Sequence, residues 1–212
     1  MSKIRLALGI PAYGGKIVAE QARMWMELGN VLGGSPRFEL AWQGYIDVNP
    51  ISKARNQIAS EARSADADWL FSIDADTWVE GDSIDDAGVM ILRMISEAER
   101  AGAWLVSAPV VKRSTEADAD ALAIYDTSGD TLRRFGRIAQ QQQLIDINAV
   151  GAACFAVDLE KTKDIKYRFV GDLSEDLDFC RTIRNMDGRV MVDPRVTTAH
   201  LSRPFPLRSH AT

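Results

Sequence analysis

Several features that would assign this 212-residue chain to a class at once are missing from it. No apolar run reaches the roughly 18 residues that a membrane-spanning helix requires, and the N-terminal stretch is interrupted too early for a signal peptide. Cysteine is scarce: Cys154 and Cys180 stand in apolar surroundings and form no Cys-x-x-Cys pair. We therefore expect reduced, buried thiols, no membrane segment and a cytoplasmic location.

An excess of positive charge is also missing. Lys and Arg number 25 against 30 Asp and Glu, so the formal net charge is −5 and nucleic-acid binding is not indicated. Neither an internal repeat nor a linker rich in Pro or Gly divides the chain, and the apolar content of 46% is ordinary for a globular protein. These properties predict a single domain over residues 1–212, with a first half at about 1–110 and a second half at about 111–205.

The first half alternates between strand-like and helix-like patterns, and we expect Ser52 to cap one of the helices. Such alternation predicts an α/β fold with a mostly parallel central sheet flanked by helices. The second half has shorter predicted strands around one predicted helix. The predicted strands are 3–10, 37–43, 69–76, 104–108, 122–125, 144–147, 152–157, 189–192 and 196–199, and the predicted helices are about 14–30, from 52 onward, 83–100 and 172–186.

Two acids one residue apart, Asp74 and Asp76, end an apolar run that begins at Trp69. Side chains alternate along a strand, so the two carboxylates are expected on one face, opposite Phe71 and Ile73. Hard divalent cations take such oxygen ligands and complete their shell with water and substrate phosphates. Ligands of open α/β sheets also bind at the carboxyl ends of the strands. The pair indicates a cation site, with a solvent-facing strand end as the alternative.

A second acidic segment surrounds Asp176. At helical spacing this acid falls within an apolar stripe, whereas Glu175 and Asp178 fall outside it; the stripe is Leu173, Leu177, Cys180 and Ile183. An ionised carboxylate on such a stripe is costly unless it is paired or lies in a cleft. We interpret Asp176 as a general base at a cleft rim, with helix capping as the alternative. Glu175 is expected to position a substrate hydroxyl or to help cap the helix, and Asp178 to be a solvated charge.

His200 ends the last predicted strand. Imidazole is a common metal ligand, so this residue could join the two carboxylates, although a lone His is more often structural. Arg203 and Arg208 follow and could close over phosphate groups.

Four segments in order resemble GT-A-fold glycosyltransferases, particularly family-2-like members, over roughly residues 3–205. They are Pro-Ala-Tyr-Gly-Gly at 11–15, Ile-Ser-Lys-Ala-Arg-Asn at 51–56 before the Asp-Ala-Asp of 74–76, the 151–157 and 174–180 segments, and 193–200. The resemblance implies a GT-A (nucleotide-diphospho-sugar transferase-like) fold with a nucleotide-binding first half and an acceptor or catalytic second half.

The resemblance also implies roles for single residues. Asp74 and Asp76 would hold Mn²⁺ or Mg²⁺, with His200 completing the metal site, and Asp176 would be the base of an inverting reaction with Glu175 beside it. The nucleotide-binding residues would be Pro11, Tyr13, Arg55, Asn56 and Asp74. The implied activity is metal-dependent transfer of a sugar from a nucleotide sugar, foremost a UDP- or GDP-sugar, to the hydroxyl of an acceptor that the sequence does not identify. The family's Asp-rich turn after the second strand is absent, and Asp47 stands closest to its position.

Other classes share parts of this pattern. Phosphatases of the haloacid-dehalogenase type use Asp-x-Asp as nucleophile and acid/base, but there Gly and then Thr or Val follow, whereas Thr77 and Trp78 follow here. A sugar-1-phosphate nucleotidylyltransferase would share the sheet but expects a Gly-rich loop bearing Lys or Arg, which residues 11–16 match poorly. A non-catalytic nucleotide-sugar or glycan binder would have no need for Asp176 in an apolar stripe. Fold analogy alone would not decide among them.

Overall fold

The computed structural model describes residues 3–12, 14, 16–80, 84–110, 124–128, 131–134 and 143–201. Strands and helices alternate through these ranges. The strands are β1 Ile4–Pro11, β2 Phe38–Ile46, β3 Trp69–Ile73, β4 Thr77–Glu80, β5 Leu105–Ser107, β6 Ile124–Ser128, β7 Thr131–Arg134, β8 Ile145–Ile147, β9 Ala149–Val150, β10 Cys154–Asp158, β11 Val190–Val192 and β12 Thr197–His200. The helices are α1 Ala19–Gly34, α2 Ile51–Ser64, α3 Ile84–Arg100 and α4 Glu175–Asn185.

A seven-stranded sheet forms the centre of the structure, in the order β2-β1-β3-β10-β5-β11-β8. β1 pairs in parallel with β2 and β3, and β11 pairs in parallel with β5. β10 runs antiparallel to both β3 and β5, so those two strands share one direction. β8 runs antiparallel to β11. Five of the seven strands therefore run the same way, which confirms the predicted α/β class with a mostly parallel sheet.

The two halves of the chain share this sheet, because β10 from the second half lies between β3 and β5 from the first. Two smaller sheets flank it, one of β12 and β4 and one of β7, β6 and β9. The β12–β4 pair is antiparallel and brings the C-terminal strand beside the segment that follows β3.

Helices cover both faces of the sheet, as the alternation predicts. Leu6 and Leu8 of β1 belong to a buried cluster that includes side chains of α1 and α3, whereas Ala7 belongs to a cluster that includes side chains of α2 and α4. Because both faces are covered, every residue of β3 is buried. None of the described helices combines the length and the apolar character needed to cross a membrane.

A close approach of α2 to β1 depends on Gly9. A Cβ atom built at this glycine would lie 2.4 Å from Cγ2 of Ile58, a distance that real Cβ atoms do not adopt. The absence of a side chain at Gly9 therefore lets α2 pack directly on the strand. Arg55 lies one turn before Ile58 on the same helix face, so this packing also carries Arg55 to the sheet.

Several boundaries differ from the sequence predictions in ways that concern the site. β3 ends at Ile73, and the amide of Thr77 donates to the carbonyl of Asp74 at 3.0 Å, so residues 74–76 form a turn. The expectation that both acids lie on one strand face is thus wrong. The predicted cap at Ser52 is also wrong, because the amides of Lys53 and Ala54 donate to the carbonyl of Pro50, which holds the cap position.

Candidate active site

A cleft of about 1070 Å³ opens at the edge of the sheet where β1 and β3 end. Residues from both halves of the chain line it. Among them are six of the residues predicted from sequence: Pro11, Arg55, Asp74, Asp76, Glu175 and Asp176. The fold thus brings the two acidic segments, which are about a hundred residues apart in the chain, to one cleft.

The turn that carries Asp74 is anchored from three directions. The amide of Asp74 donates to the carbonyl of Ala153 at 2.8 Å. Gln21, which is fully buried in α1, donates from Nε2 to the carbonyls of Asp74 at 2.6 Å and Thr77 at 3.0 Å. The amide of Val18 donates to the carbonyl of Ala75 at 3.3 Å. These bonds hold the turn against α1 and β10.

Sequence reasoning did not identify Gln21 as part of the site, although a signal was present. Gln21, Met24, Leu28 and Leu32 recur at helical spacing, and all four are buried. A buried amide among apolar side chains must find polar partners. Its position on the stripe therefore indicated a specific hydrogen-bonding role.

Arg55 lines the cleft with only 4% of its side chain exposed. Its Nη1 donates to Glu175 Oε1, and its Nη2 donates to Asp74 Oδ1 at 2.9 Å and to the carbonyl of Ala152 at 2.9 Å. Burial by itself lowers the pKa of this guanidinium, but the carboxylates of Asp74 and Glu175 outweigh that effect and raise the pKa above its ordinary value. Arg55 is therefore held in its charged form between two acids.

Asp176 stands in the first turn of α4 and has an oriented carboxylate. Oδ1 accepts from the amide of Leu177 at 2.8 Å and from the hydroxyl of Ser174, and Oδ2 accepts from the amide of Ala152 at 3.2 Å. The acid is partly exposed and lines the cleft. The free amides at a helix start favour a carboxylate here. The geometry thus combines the two interpretations made from sequence, a cleft-facing acid and a capping acid.

The buried face of α4 differs from the predicted stripe. Glu175 is 5% exposed and Asp178 is fully buried, whereas Leu173 and Leu177 are only partly buried. Burial raises the pKa of Glu175, and the positive charge of Arg55 opposes this rise. The prediction that Asp178 is a solvated charge is wrong: Asp178 accepts from Arg168 Nε at 2.8 Å and pairs with Arg181. One cation from the same helix, Arg181, and one from the preceding loop, Arg168, therefore satisfy the buried carboxylate.

The remaining predicted residues are placed away from the cleft wall or outside the described chain. Asn56 donates from Nδ2 to the carbonyl of Tyr167 at 2.7 Å, and its Oδ1 accepts from the Tyr167 amide at 2.9 Å. Its predicted contact with a nucleotide stays a prediction. Tyr13, Arg203 and Arg208 lie outside the described residues.

The backbone of His200 lies beside the acidic turn. In the β12–β4 pair, His200 is opposite Thr77, and the amide of the next residue, Leu201, donates to the carbonyl of Asp76 at 2.8 Å. The side chain of His200 is outside the described part of the structure. Its predicted role as a metal ligand stays a prediction.

The residues of the turn offer a donor set of carboxylate oxygens. Asp74 and Asp76 both line the cleft, and Oδ1 of Asp74 accepts a hydrogen bond from Arg55. Among the side chains that the structure describes, no group of three or more His, Cys, Asp or Glu could hold a metal ion. Two carboxylates fit Mn²⁺ or Mg²⁺ where the cation takes its other ligands from water and substrate phosphates.

Comparisons with known proteins concern the fold alone. No family model and no curated protein sequence matches this chain. Among solved structures, A197 from STIV matches with a TM-score of 0.57 and 13% identity, over 93% of this chain and 85% of that one. UDP-glucose pyrophosphorylase from Acinetobacter baumanii matches with a TM-score of 0.55 and 10% identity, over 95% and 89%. The chain therefore has a mixed α/β fold similar to that of an enzyme named for a nucleotide sugar.

Proposed function

We propose that this protein is a glycosyltransferase that binds a nucleotide sugar in the cleft and transfers the sugar to an acceptor hydroxyl with inversion. The observation that carries the proposal is that Asp74 and Asp76 share one cleft with Asp176. Such a reaction needs one acidic group for the donor and another for the acceptor. Similarity of fold to a UDP-glucose pyrophosphorylase supports the nucleotide-sugar part.

On the donor side, the reaction builds negative charge on the departing nucleoside diphosphate. A Mn²⁺ or Mg²⁺ ion held by Asp74, Asp76 and His200 would neutralise this charge as a Lewis acid. Lys16 is exposed and lines the same cleft, so its ammonium group can add a second positive charge near the diphosphate. Pro11 offers an apolar surface for the nucleotide base, and the predicted contacts of Tyr13 and Asn56 with the nucleotide are part of this proposal.

On the acceptor side, a hydroxyl must lose its proton as it attacks the sugar. Oδ1 of Asp176 accepts two hydrogen bonds, whereas Oδ2 accepts one from the residues that the structure describes, that of the Ala152 amide. Oδ2 therefore keeps a lone pair for the acceptor proton. A positioned carboxylate of this kind acts as a general base.

A second candidate is nucleotidyl transfer to a sugar 1-phosphate. The fold similarity to UDP-glucose pyrophosphorylase and the position of Lys16 on the cleft wall favour it. The ordered carboxylate of Asp176 favours glycosyl transfer instead, because an acceptor phosphate does not need a base. The two reactions release different products: a nucleoside diphosphate from a nucleotide sugar, or inorganic diphosphate from a nucleoside triphosphate.

The first experiment is a thermal-shift panel of UDP-, GDP-, TDP- and CMP-sugars, each with and without Mn²⁺. A ligand that binds only the folded state raises the unfolding temperature. We expect one nucleotide class to stabilise the protein, and only with the metal. The stabilising nucleotide sugar is then incubated with the protein, with water as the acceptor, and release of the nucleoside diphosphate (of CMP from a CMP-sugar) is measured. Release of inorganic diphosphate from the matching triphosphate and sugar 1-phosphate is measured beside it. No shift with any donor would contradict the proposal, and turnover of p-nitrophenyl phosphate alone would favour the phosphatase.

A further inference from the structure

The three described bonds of Arg55 lead to three separate parts of the site. Asp74 belongs to the turn after β3, Ala152 belongs to the loop before β10, and Glu175 is the first residue of α4. These partners lie 19, 97 and 120 residues along the chain from Arg55. A single side chain of α2 thus connects the donor-side turn with the acceptor-side helix.

Charge and burial make this connection specific to arginine. The guanidinium is almost wholly buried, and its planar fork reaches two carboxylates and a carbonyl at once, which the point charge of a lysine does not do. Removing one partner of a buried ion pair leaves the other charge without compensation. Loss of Arg55 would therefore leave Glu175 buried and unpaired.

Two residues that fix the position of Asp176, Ala152 and Glu175, are hydrogen-bond partners of Arg55. The carbonyl of Ala152 accepts from Arg55, and the amide of the same residue donates to Asp176 Oδ2 at 3.2 Å. Glu175, the other partner of Arg55, directly precedes Asp176 in the chain. A shift of Ala152 or of Glu175 would move the Asp176 carboxylate relative to the cleft.

We propose that Arg55 is a positioning residue that links the Asp74 turn to Asp176 and holds the two acids at a fixed separation across the cleft. Glu175 is its counter-ion in this arrangement. The inference relies on the proposed function only for the role of Asp176 as the base. It assigns to Arg55 a different task from the nucleotide contact that the family resemblance implies.

The kinetic test compares Arg55→Met and Arg55→Lys with Arg63→Met. Arg63 is a matched control because it lies on the same helix and donates to the carbonyls of Leu159 at 3.3 Å and Thr162 at 3.0 Å, and these three residues are not part of the cleft lining. With the nucleotide sugar found in the panel, Arg55→Met is expected to lower kcat roughly 100-fold, with KM for the donor changed less than about threefold. Arg55→Lys should recover part of the loss, and Arg63→Met should keep kcat. An equal loss in both Met variants would overturn the proposal.

A spectroscopic readout separates this inference from the proposed function. The side-chain carboxyl ¹³C signal of Asp176, assigned by its loss in Asp176→Asn, is expected to move in Arg55→Met and to stay in place in Arg63→Met. If Arg55→Met does not fold, Glu175→Gln removes the counter-ion at nearly constant size and is expected to move the same signal. An unmoved Asp176 signal in the folded variant would overturn the link. A moved signal in a protein that turns over no nucleotide sugar would support the link and reject the transferase.

Discussion

Gln21 holds the acidic turn through the backbone of Asp74. Its Nε2 donates to the Asp74 carbonyl at 2.6 Å and to the carbonyl of Thr77 at 3.0 Å, and the amide is fully buried. One side chain of α1 therefore closes both ends of the turn. The carboxylate of Asp74 remains available to the cleft and to Arg55.

Gln21→Leu is expected to destabilise the protein and to weaken ligand binding at the turn. The substitution removes the two hydrogen bonds that the Gln21 amide donates to the carbonyls of Asp74 and Thr77, at a cost of about 1–3 kcal/mol. Urea unfolding measures this loss, and calorimetry with UDP and Mn²⁺ measures binding, which should weaken about tenfold. Gln57→Leu is the matched control, because Gln57 is exposed on α2. Equal effects of the two substitutions would contradict the role of Gln21.

Asp176→Asn is expected to keep donor binding and to lose sugar transfer. The amide preserves the size of the side chain but does not accept a proton, so the rate should fall about 100-fold or more. Initial rates of nucleoside diphosphate release measure the effect. Asp172→Asn removes a carboxylate from the same cleft wall and should retain most of the activity. A fully active Asp176→Asn enzyme would remove Asp176 as the base.

Asp76→Ala and His200→Ala test the predicted cation site. Loss of a carboxylate ligand should weaken Mn²⁺-dependent UDP binding by about 100-fold or more, and loss of the predicted imidazole ligand by about tenfold. Calorimetric titrations of UDP at fixed Mn²⁺ give both values, with the exposed Asp164→Ala as control. Unchanged binding in Asp76→Ala would reject the site, and unchanged binding in His200→Ala would return this residue to a structural role.

The two thiols make stability fall at alkaline pH. Burial raises the pKa of Cys180 to about 12 and the pKa of Cys154 further still. The unfolded chain loses these protons near pH 9, while the folded protein keeps them. Above pH 9 the free energy of unfolding should therefore fall, by about 1.4 kcal/mol per pH unit for each thiol fully ionised in the unfolded chain. The buried hydroxyl of Tyr167, whose pKa burial also raises, adds to the fall.

Urea unfolding at pH 8 to 11 measures how the free energy of unfolding changes with pH. A Cys154→Ala/Cys180→Ala variant should show a smaller decrease per pH unit. A thiol reagent should modify neither cysteine in the folded protein and both in urea, since both are buried and free. Rapid modification under native conditions would show that the thiols are accessible and that the decrease has another origin.

Patterns confined to short stretches of sequence predicted most of the fold. Apolar runs and helical spacing located the strands and helices of the central sheet, with shifts of a few residues at their ends. The runs worked because burial on both faces of a sheet demands continuous apolar sequence, as all five residues of β3 illustrate. The strand nevertheless ends at Ile73 and residues 74–76 form a turn, so the alternation of a strand does not extend to Asp74 and Asp76.

The pairing of Arg55 with Glu175 could not be predicted from the sequence. Glu175 and Asp178 lie outside the apolar stripe of α4, yet both are buried. Their charges are compensated there, because Arg55 donates to Glu175 and Arg168 donates to Asp178. Arg55 and Glu175 are 120 residues apart, and no local pattern encodes such a contact. A carboxylate's burial depends on whether a distant cation reaches it.

The sequence by itself determined the class of fold and the two acidic segments, because strand and helix periods and the chemistry of carboxylates are local properties. The tertiary structure alone decided that these segments share one cleft, and that Arg55 and Gln21 hold them there. Burial and long-range hydrogen bonding arise only when distant segments pack together. They turn separate acids into one candidate site.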